Sequence, residues 1–448
     1  MFALALATVL AGYMFMGRGF AHLGIGPVYV GEVVLALGIL TACLVVIRRG
    51  VPGIRSWTIA LLVLFMVLGA ARTVPYLGSF GLDALRDGVL WGYGTFALVI
   101  YLAADRAWLS AAARLYGWII PVFALWLPIS WSIFAASQAG VDRLAPGSNH
   151  PLVFFKAGDM AVHAAAAIAF IVLAPSAFAT IRAFASRLIV SIPLTWTVFA
   201  SGAASRGAIL AAATGVGITV AATRRPSNWI PVVTAGLIVL IWLNASAIFG
   251  EGPGPSGSPS ASPSGSAAPT ATSAPGRDIS VGQWFGNLGS IFGPSSVAGL
   301  DGTKAFRLAW WSKIAGYTVF GPYFWAGKGF GVNLADDDGF QPTTDHSLRA
   351  PHNSHMSVLA RMGVPGFALW VLLQGAFAAS LLRAVLAHRR ADDRTMAGLG
   401  AWVFIVWAAM MVVTSFDPYL EGPQGGIWFW SVFGVGLVVA HMAPRAVR

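Results

Sequence analysis

The stretch "LRAPHNSHMSVLARMGVPGFALWVLL" (residues 348–373) changes character halfway along. Its second half is an apolar run of membrane quality. Its first half holds His352, Asn353, Ser354, His355 and Ser357, with Arg361 one turn later. A bilayer explains the apolar part; the polar mouth needs a second reason.

The rest of the chain repeats the apolar theme. Of 448 residues, 57% are hydrophobic and only 10% charged, far from the composition of a soluble domain. Apolar runs of bilayer length recur, so the expected fold is an all-α polytopic membrane protein. A single cysteine, Cys43, lies in one of these runs and excludes a disulfide framework. The net charge of +11 brings nucleic acid to mind, but the basic residues sit mainly in short loops between spans, so no nucleic-acid partner is expected. The first run, "MFALALATVLAGYMF", lacks the basic start of a signal peptide and another span follows almost at once. It reads as a retained helix.

About twelve spans of roughly 20 residues are expected. They fall near 2–16, 28–47, 56–71, 86–104, 113–135, 160–175, 187–203, 206–222, 229–249, 357–386, 397–415 and 426–443. "SGAASRG" joins the seventh and eighth as a tight hairpin. One set of connections carries Arg48, Arg49, Arg55, Arg106, Arg114, Arg182, Arg187, Arg224, Arg225, Arg389, Arg390, Arg394, Arg445 and Arg448. The other is richer in acids: Asp83, Asp87, Asp142, Asp159, Asp417 and Glu421. The bias of Lys and Arg toward the cytoplasm then places both termini inside. The division of the chain is spans one to nine over 1–249, an extracytoplasmic loop over 250–352 and spans ten to twelve over 353–448. Within the loop, Pro/Ser/Ala/Gly-rich 252–276 cannot bury a core and reads as a disordered linker, whereas 277–351 reads as ordered. Residues 301–321 have helical apolar spacing, and Trp310 and Trp311 favour a helix lying at the membrane surface.

His352 stands where the loop re-enters the membrane, in the pattern H-N-x9-G-x-x-G that ends on Gly363 and Gly366. A neutral imidazole there suits a general base for a hydroxyl proton; a capping or interfacial histidine is the plainer reading, and His355 is the competing base. Arg206 begins its span on the same side. A cation there gains nothing from the inside bias, and a guanidinium fork fits a phosphate or diphosphate; snorkelling is the plainer alternative. Arg307, on the loop helix, would reach the same diphosphate or simply lipid headgroups. His355, Asn353, Arg349, Asp417, Glu421, Lys156, Asp159 and Arg86 are candidate cavity-lining, substrate-binding residues. "ADDDG" (335–339) reads as a solvated turn rather than a metal site, and His346, His352 and His355 lack the spacing of a zinc site.

R-x3-L at Arg206–Leu210 followed by H-N-x9-G-x-x-G at His352–Gly366 resembles the O-antigen ligase and polymerase superfamily. Twelve spans, the large loop between the ninth and tenth, and the early "PVYVGEVVLALG" are similar to that family as well. The resemblance implies a GT-C-like glycosyltransferase of the bacterial cytoplasmic membrane, working on its outer face without metal or cofactor. Its donor would be an undecaprenyl-diphosphate-linked glycan, its acceptor a glycan or lipid-glycan hydroxyl, and its outcome inversion. Position by position, the resemblance makes His352 the catalytic histidine, Arg206 the membrane-helix arginine and Arg307 the loop arginine. A polytopic transporter or a flippase for lipid-linked glycans is the alternative; it would want polar or broken helices near the midplane, for which Glu32 is a rare candidate.

Overall fold

The computed structural model describes residues 1–26, 28–50, 56–138, 144–146, 148, 150–173, 183–223, 225–249, 279–293, 300–342 and 344–444. The expected linker 252–276 lies outside these, as do Arg55, Asp142, Arg182, Arg224, Arg445 and Arg448.

The described residues are overwhelmingly helical. In chain order the helices are α1 (Phe2–Met16), α2 (Arg18–Ala21), α3 (Val30–Arg49), α4 (Trp57–Thr73), α5 (Leu77–Phe80), α6 (Leu82–Gly92), α7 (Gly94–Ala103), α8 (Arg106–Gln138) and α9 (Ala157–Leu173). Then come α10 (Phe184–Ala204), α11 (Arg206–Ala222), α12 (Ile230–Phe249), α13 (Val281–Phe292), α14 (Leu300–Val319), α15 (Leu334–Asp338), α16 (Ser354–Arg390), α17 (Arg394–Thr414) and α18 (Pro423–His441). Among the described residues, eight of these are long and apolar enough to cross a membrane: α3, α4, α8, α10, α12, α16, α17 and α18. The chain is therefore a multi-pass helical membrane protein. Helices α1, α7, α9 and α11 are apolar but shorter. The expected span at 86–104 is split, because α6 ends at Gly92 and α7 starts at Gly94.

α17 and α18 form the centre and are buried on most sides, whereas α3 and α12 expose most of their surface. The packing near the future site follows from residue size. α9 is alanine-rich, and Ala161 packs with Ala208 and Ala212 of α11. Small side chains let helix axes approach closely. In consequence the start of α9, the start of α11 and the end of α17 lie side by side: Gly158 has room for no side chain beside Val413, and Gly207 none beside Phe416.

The extramembrane segment builds a small core of its own on the first turns of α16. Trp310 and Ile314 pack with Leu334, Ala335, Leu359 and Ala360. Trp310 is fully buried, not interfacial as its sequence setting implied, because its indole N–H donates to Asp338 (2.7 Å) and its ring stacks on Phe340. Asp338 is buried too and is held by Lys328 at 2.5 Å. The last aspartate of "ADDDG" is thus the anchor of this core rather than part of a solvated turn.

α16 is broken at Gly363, whose φ of 69° and ψ of −172° are non-helical. Segment 324–329 fills the break. The N–H groups of Lys328 and Gly329 donate to the carbonyls of Ala360 (2.7 Å) and Arg361 (3.1 Å), and Phe324 accepts from Val364 N–H (2.8 Å). The backbone groups released by the break are therefore satisfied, as burial requires. A β-carbon on Gly363 would stand 2.4 Å from the Phe324 carbonyl, so only glycine fits.

Candidate active site

At one end of the bundle the chain ends described above carry a group of ionised side chains. α1 stops at Met16, and Gly17 turns the chain with φ 63°. The next residues pair with the extended segment before α9: Arg18 N–H donates to the Phe154 carbonyl (2.6 Å) and Phe154 N–H to the Met16 carbonyl (3.0 Å). This pairing sets Arg18 and Lys156 side by side. Lys156 Nζ donates to Asp417 Oδ1, and Arg18 Nη2 lies 3.6 Å from the same oxygen. Arg307 reaches in from α14 and donates to the Phe416 carbonyl (3.0 Å).

His352 enters this group under constraint. Its φ is 53°, a left-handed conformation that costs a residue with a β-carbon roughly 1–2 kcal/mol. Both neighbours hold it there. Trp311 donates to the Pro351 carbonyl (2.8 Å), and Asn353 caps α16 by accepting from the N–H groups of His355 (2.9 Å) and Met356 (3.1 Å). Strain of this kind collects at functional positions. Burial, then Arg307 and Lys156, with Arg18 behind them, push the imidazole down to about 4 against the opposing pull of Asp417. His352 is thus neutral at pH 7. Burial raises Asp417, but Lys156 and Arg18 more than offset it and hold the carboxyl below its usual range. Asp159 lies in the same field and is buried; neither of its carboxylate oxygens has a hydrogen-bond partner among the described residues.

Arg206 opens α11 after a turn of one extended residue, Ser205. The turn is held from outside: Asn287 of α13 donates to the carbonyls of Gly202 (3.0 Å) and Ala203 (2.6 Å), two of the groups a helix end leaves open. Gly207 then abuts Phe416, so the start of α11 stands beside the residue that accepts from Arg307 and precedes Asp417. Arg206 itself is half-buried.

His355 is differently placed. Its Nδ1 accepts from Trp370 (3.0 Å) and its Nε2 faces the Met411 carbonyl (3.3 Å). An acceptor at one nitrogen and a donor at the other define a single neutral tautomer with no lone pair left to take a proton. His355, the competing base, has therefore spent that capacity on Trp370. Glu421 accepts from Ser357 (2.7 Å), and its carboxyl is raised by burial against the opposing Arg361.

Arg349 and Arg86 stand apart from His352. Arg349 pairs with Asp83 (3.3 Å) and Asp87 (3.2 Å), and donates to the Gly331 carbonyl (2.9 Å). Arg361, 1% exposed, completes this knot at 2.9 Å from Asp87. Arg86 is exposed and lies 3.9 Å from Asp83. These groups tie the loop to α6. They account for the arginine in the opening motif, which braces the break at Gly363 by also donating to the carbonyls of Gly329 (3.3 Å) and Val332 (3.2 Å).

Arg18 was not among the residues singled out from sequence. The signal was present: "GRG" closes the first apolar run at the end that the charge bias assigns to the outside, the same reasoning that drew attention to Arg206. Glu32, the candidate midplane acid, is instead in the first turn of α3, accepting from Tyr29 N–H (3.2 Å) and the Tyr93 hydroxyl (2.8 Å).

Residues 189–371 match the O-antigen ligase family. The matched stretch contains Arg206, Arg307 and His352, and it bears out the resemblance to the O-antigen ligase and polymerase superfamily. No curated protein matches the chain.

Proposed function

We propose that this chain, whose residues 189–371 carry the O-antigen ligase domain, is a glycosyltransferase of the bacterial cytoplasmic membrane. It moves a glycan from an undecaprenyl-diphosphate carrier to an acceptor sugar hydroxyl on the extracytoplasmic face. The observation that carries this reading is a neutral imidazole, His352, set among cations that outnumber the carboxylates acting on it.

The chemistry follows from that imbalance. The acceptor oxygen attacks the anomeric carbon opposite the leaving group, so configuration inverts. His352 takes the hydroxyl proton, and the bond from the anomeric carbon to the diphosphate oxygen breaks. The diphosphate leaves with the electron pair as an anion. Arg206 and Arg307 stabilise that charge as it grows, more strongly in a partly dry site than in water. The same cations supply the positive charge that a metal provides elsewhere, which makes the reaction metal-independent. Below the site an apolar cavity of about 360 Å³, lined by Leu6, Leu10, Met14, Trp402 and Trp428 among others, suits part of an isoprenoid tail. One side of it is α1, which ends at Met16, two residues before Arg18.

The test is reconstitution in vesicles with an undecaprenyl-diphosphate-linked repeat unit, with and without chelator. Glycan transfer that survives chelation is expected. Growth on the carrier marks a polymerase, transfer to a second molecule a ligase. Flipping of the lipid with no glycan product would overturn the reading in favour of a transporter.

A further inference from the structure

Arg18 is unusual among the cations of this site. It is contributed by the N-terminal helix pair and, like Lys156, lies outside the matched family segment. Its position is enforced by backbone pairing on both sides: Gly17 has a positive φ and no room for a β-carbon against the Phe154 carbonyl, and Arg18 N–H is bonded to that same carbonyl. Yet its guanidinium is poorly engaged. Asp417 Oδ1 is its ion partner at 3.6 Å, and that oxygen already accepts the closer Lys156 ammonium. Arg18 Nε is buried and has no hydrogen-bond partner among the described residues. A protein that folds a guanidinium into a half-buried position and leaves its fork unfilled incurs a desolvation cost that an anion would offset.

We propose that Arg18 is a binding residue for the diphosphate of the lipid donor, carried at the start of α2, two residues beyond the end of α1, the helix that lines one side of the apolar cavity. This rests on the reading of the site as one for a lipid diphosphate. The geometry gives the occupant two signatures. The head must present acceptor oxygens to a guanidinium fork while Arg206 and Arg307 act from the other helices, which favours two phosphoryl groups over one. The tail must be apolar, because Met14 and Leu10 of α1, the helix that precedes Arg18, line the cavity. An arriving diphosphate takes the fork from the weakly held Asp417 and leaves the Lys156 pair in place, so Arg18 acts on affinity for the donor rather than on the proton transfer at His352.

The experiment compares binding of undecaprenyl diphosphate and undecaprenyl phosphate to the full-length protein in detergent, for wild type, Arg18→Gln and Arg18→Lys. Wild type is expected to prefer the diphosphate. Arg18→Gln should weaken diphosphate binding by about 10-fold or more, the scale of one charge-assisted hydrogen-bonding group, and leave monophosphate binding less affected. Arg18→Lys keeps the charge without the fork and should fall between. With the glycan-bearing donor, the loss should appear in KM with kcat nearly unchanged. A wild-type preference that both variants retain would overturn the inference and leave the proposed function standing. A wild type that binds neither lipid would overturn both.

Discussion

Two charged clusters sit at the same end of this molecule, and they are built on opposite plans. In the knot of Asp83, Asp87, Arg349 and Arg361, acids and arginines face one another at 2.9–3.3 Å and further donors reach loop carbonyls, while Arg349 Nε and Arg361 Nη2 stay buried without a hydrogen-bond partner among the described residues. Around His352, Arg18, Lys156 and Arg307 act on the imidazole while Asp417 alone opposes them. The first plan matches two acids with two arginines, and its product is architecture: the loop is fastened to α6 and to the break in α16. The second leaves positive charge in surplus at the imidazole, which under the proposed function the donor diphosphate would meet. On that proposal, balance of charge separates a brace from a binding site more sharply than the mere presence of arginine does.

The contrast can be broken by substitution. The largest effect is expected on the unbalanced side. His352→Ala should lower transfer by about 10²–10⁴-fold, the usual share of a general base, with the melting temperature in detergent nearly unchanged. Loss of folding with loss of activity would instead make His352 another brace. On the balanced side, Asp87→Asn should act on stability, because it leaves Arg349 and Arg361 facing a neutral group. Breaking a buried pair from one side costs about 3–5 kcal/mol, readable as a lowered thermal midpoint. Full stability in that variant would remove the distinction between the clusters.

pH sharpens the comparison further. The imidazole of His352 is held near 4, below its unfolded value of about 6.5. The contribution of its neutral form to stability is therefore present above pH 6.5 and lost as pH falls toward 4. The same proton removes the base, so kcat/KM should be flat from about pH 6 to 8 and fall on an acid limb centred well below 6.5. A limb at the ordinary histidine value would mean that the surrounding cations do not act on it. The smallest effect belongs to Arg86, exposed and only loosely paired with Asp83. Arg86→Ala should change stability by less than about 0.5 kcal/mol and leave transfer intact, measured by the same melt and assay.

Much of the helical order could be read from the chain. Apolar runs announce themselves one at a time, and helices occupy every stretch expected as a span, though the fourth is split at Tyr93. What a single run cannot reveal is its partner. The pattern H-N-x9-G-x-x-G looks like one functional unit, but its members serve different ends: Asn353 caps a helix, His355 is fixed between Trp370 and Met411, and Gly363 allows a break. Trp310 reads as interfacial because it is paired with Trp311 in a loop segment of helical apolar spacing. The indole is buried instead, through an aspartate 28 residues away. Arg18 is a mixed case: "GRG" marks its side of the membrane, but its contacts with Phe154 and Asp417 follow from no local pattern.

The break at Gly363 also sets a timetable. A ribosome releases residues 324–329 before residues 360–364, so the amides of Lys328 and Gly329 wait for carbonyls that do not yet exist. The loop reaches its final shape only after α16 has entered the bilayer and parted at that glycine. Assembly of the polar mouth of α16 is in this way a late event of biogenesis, and chains halted short of residue 360 should leave the loop open to protease.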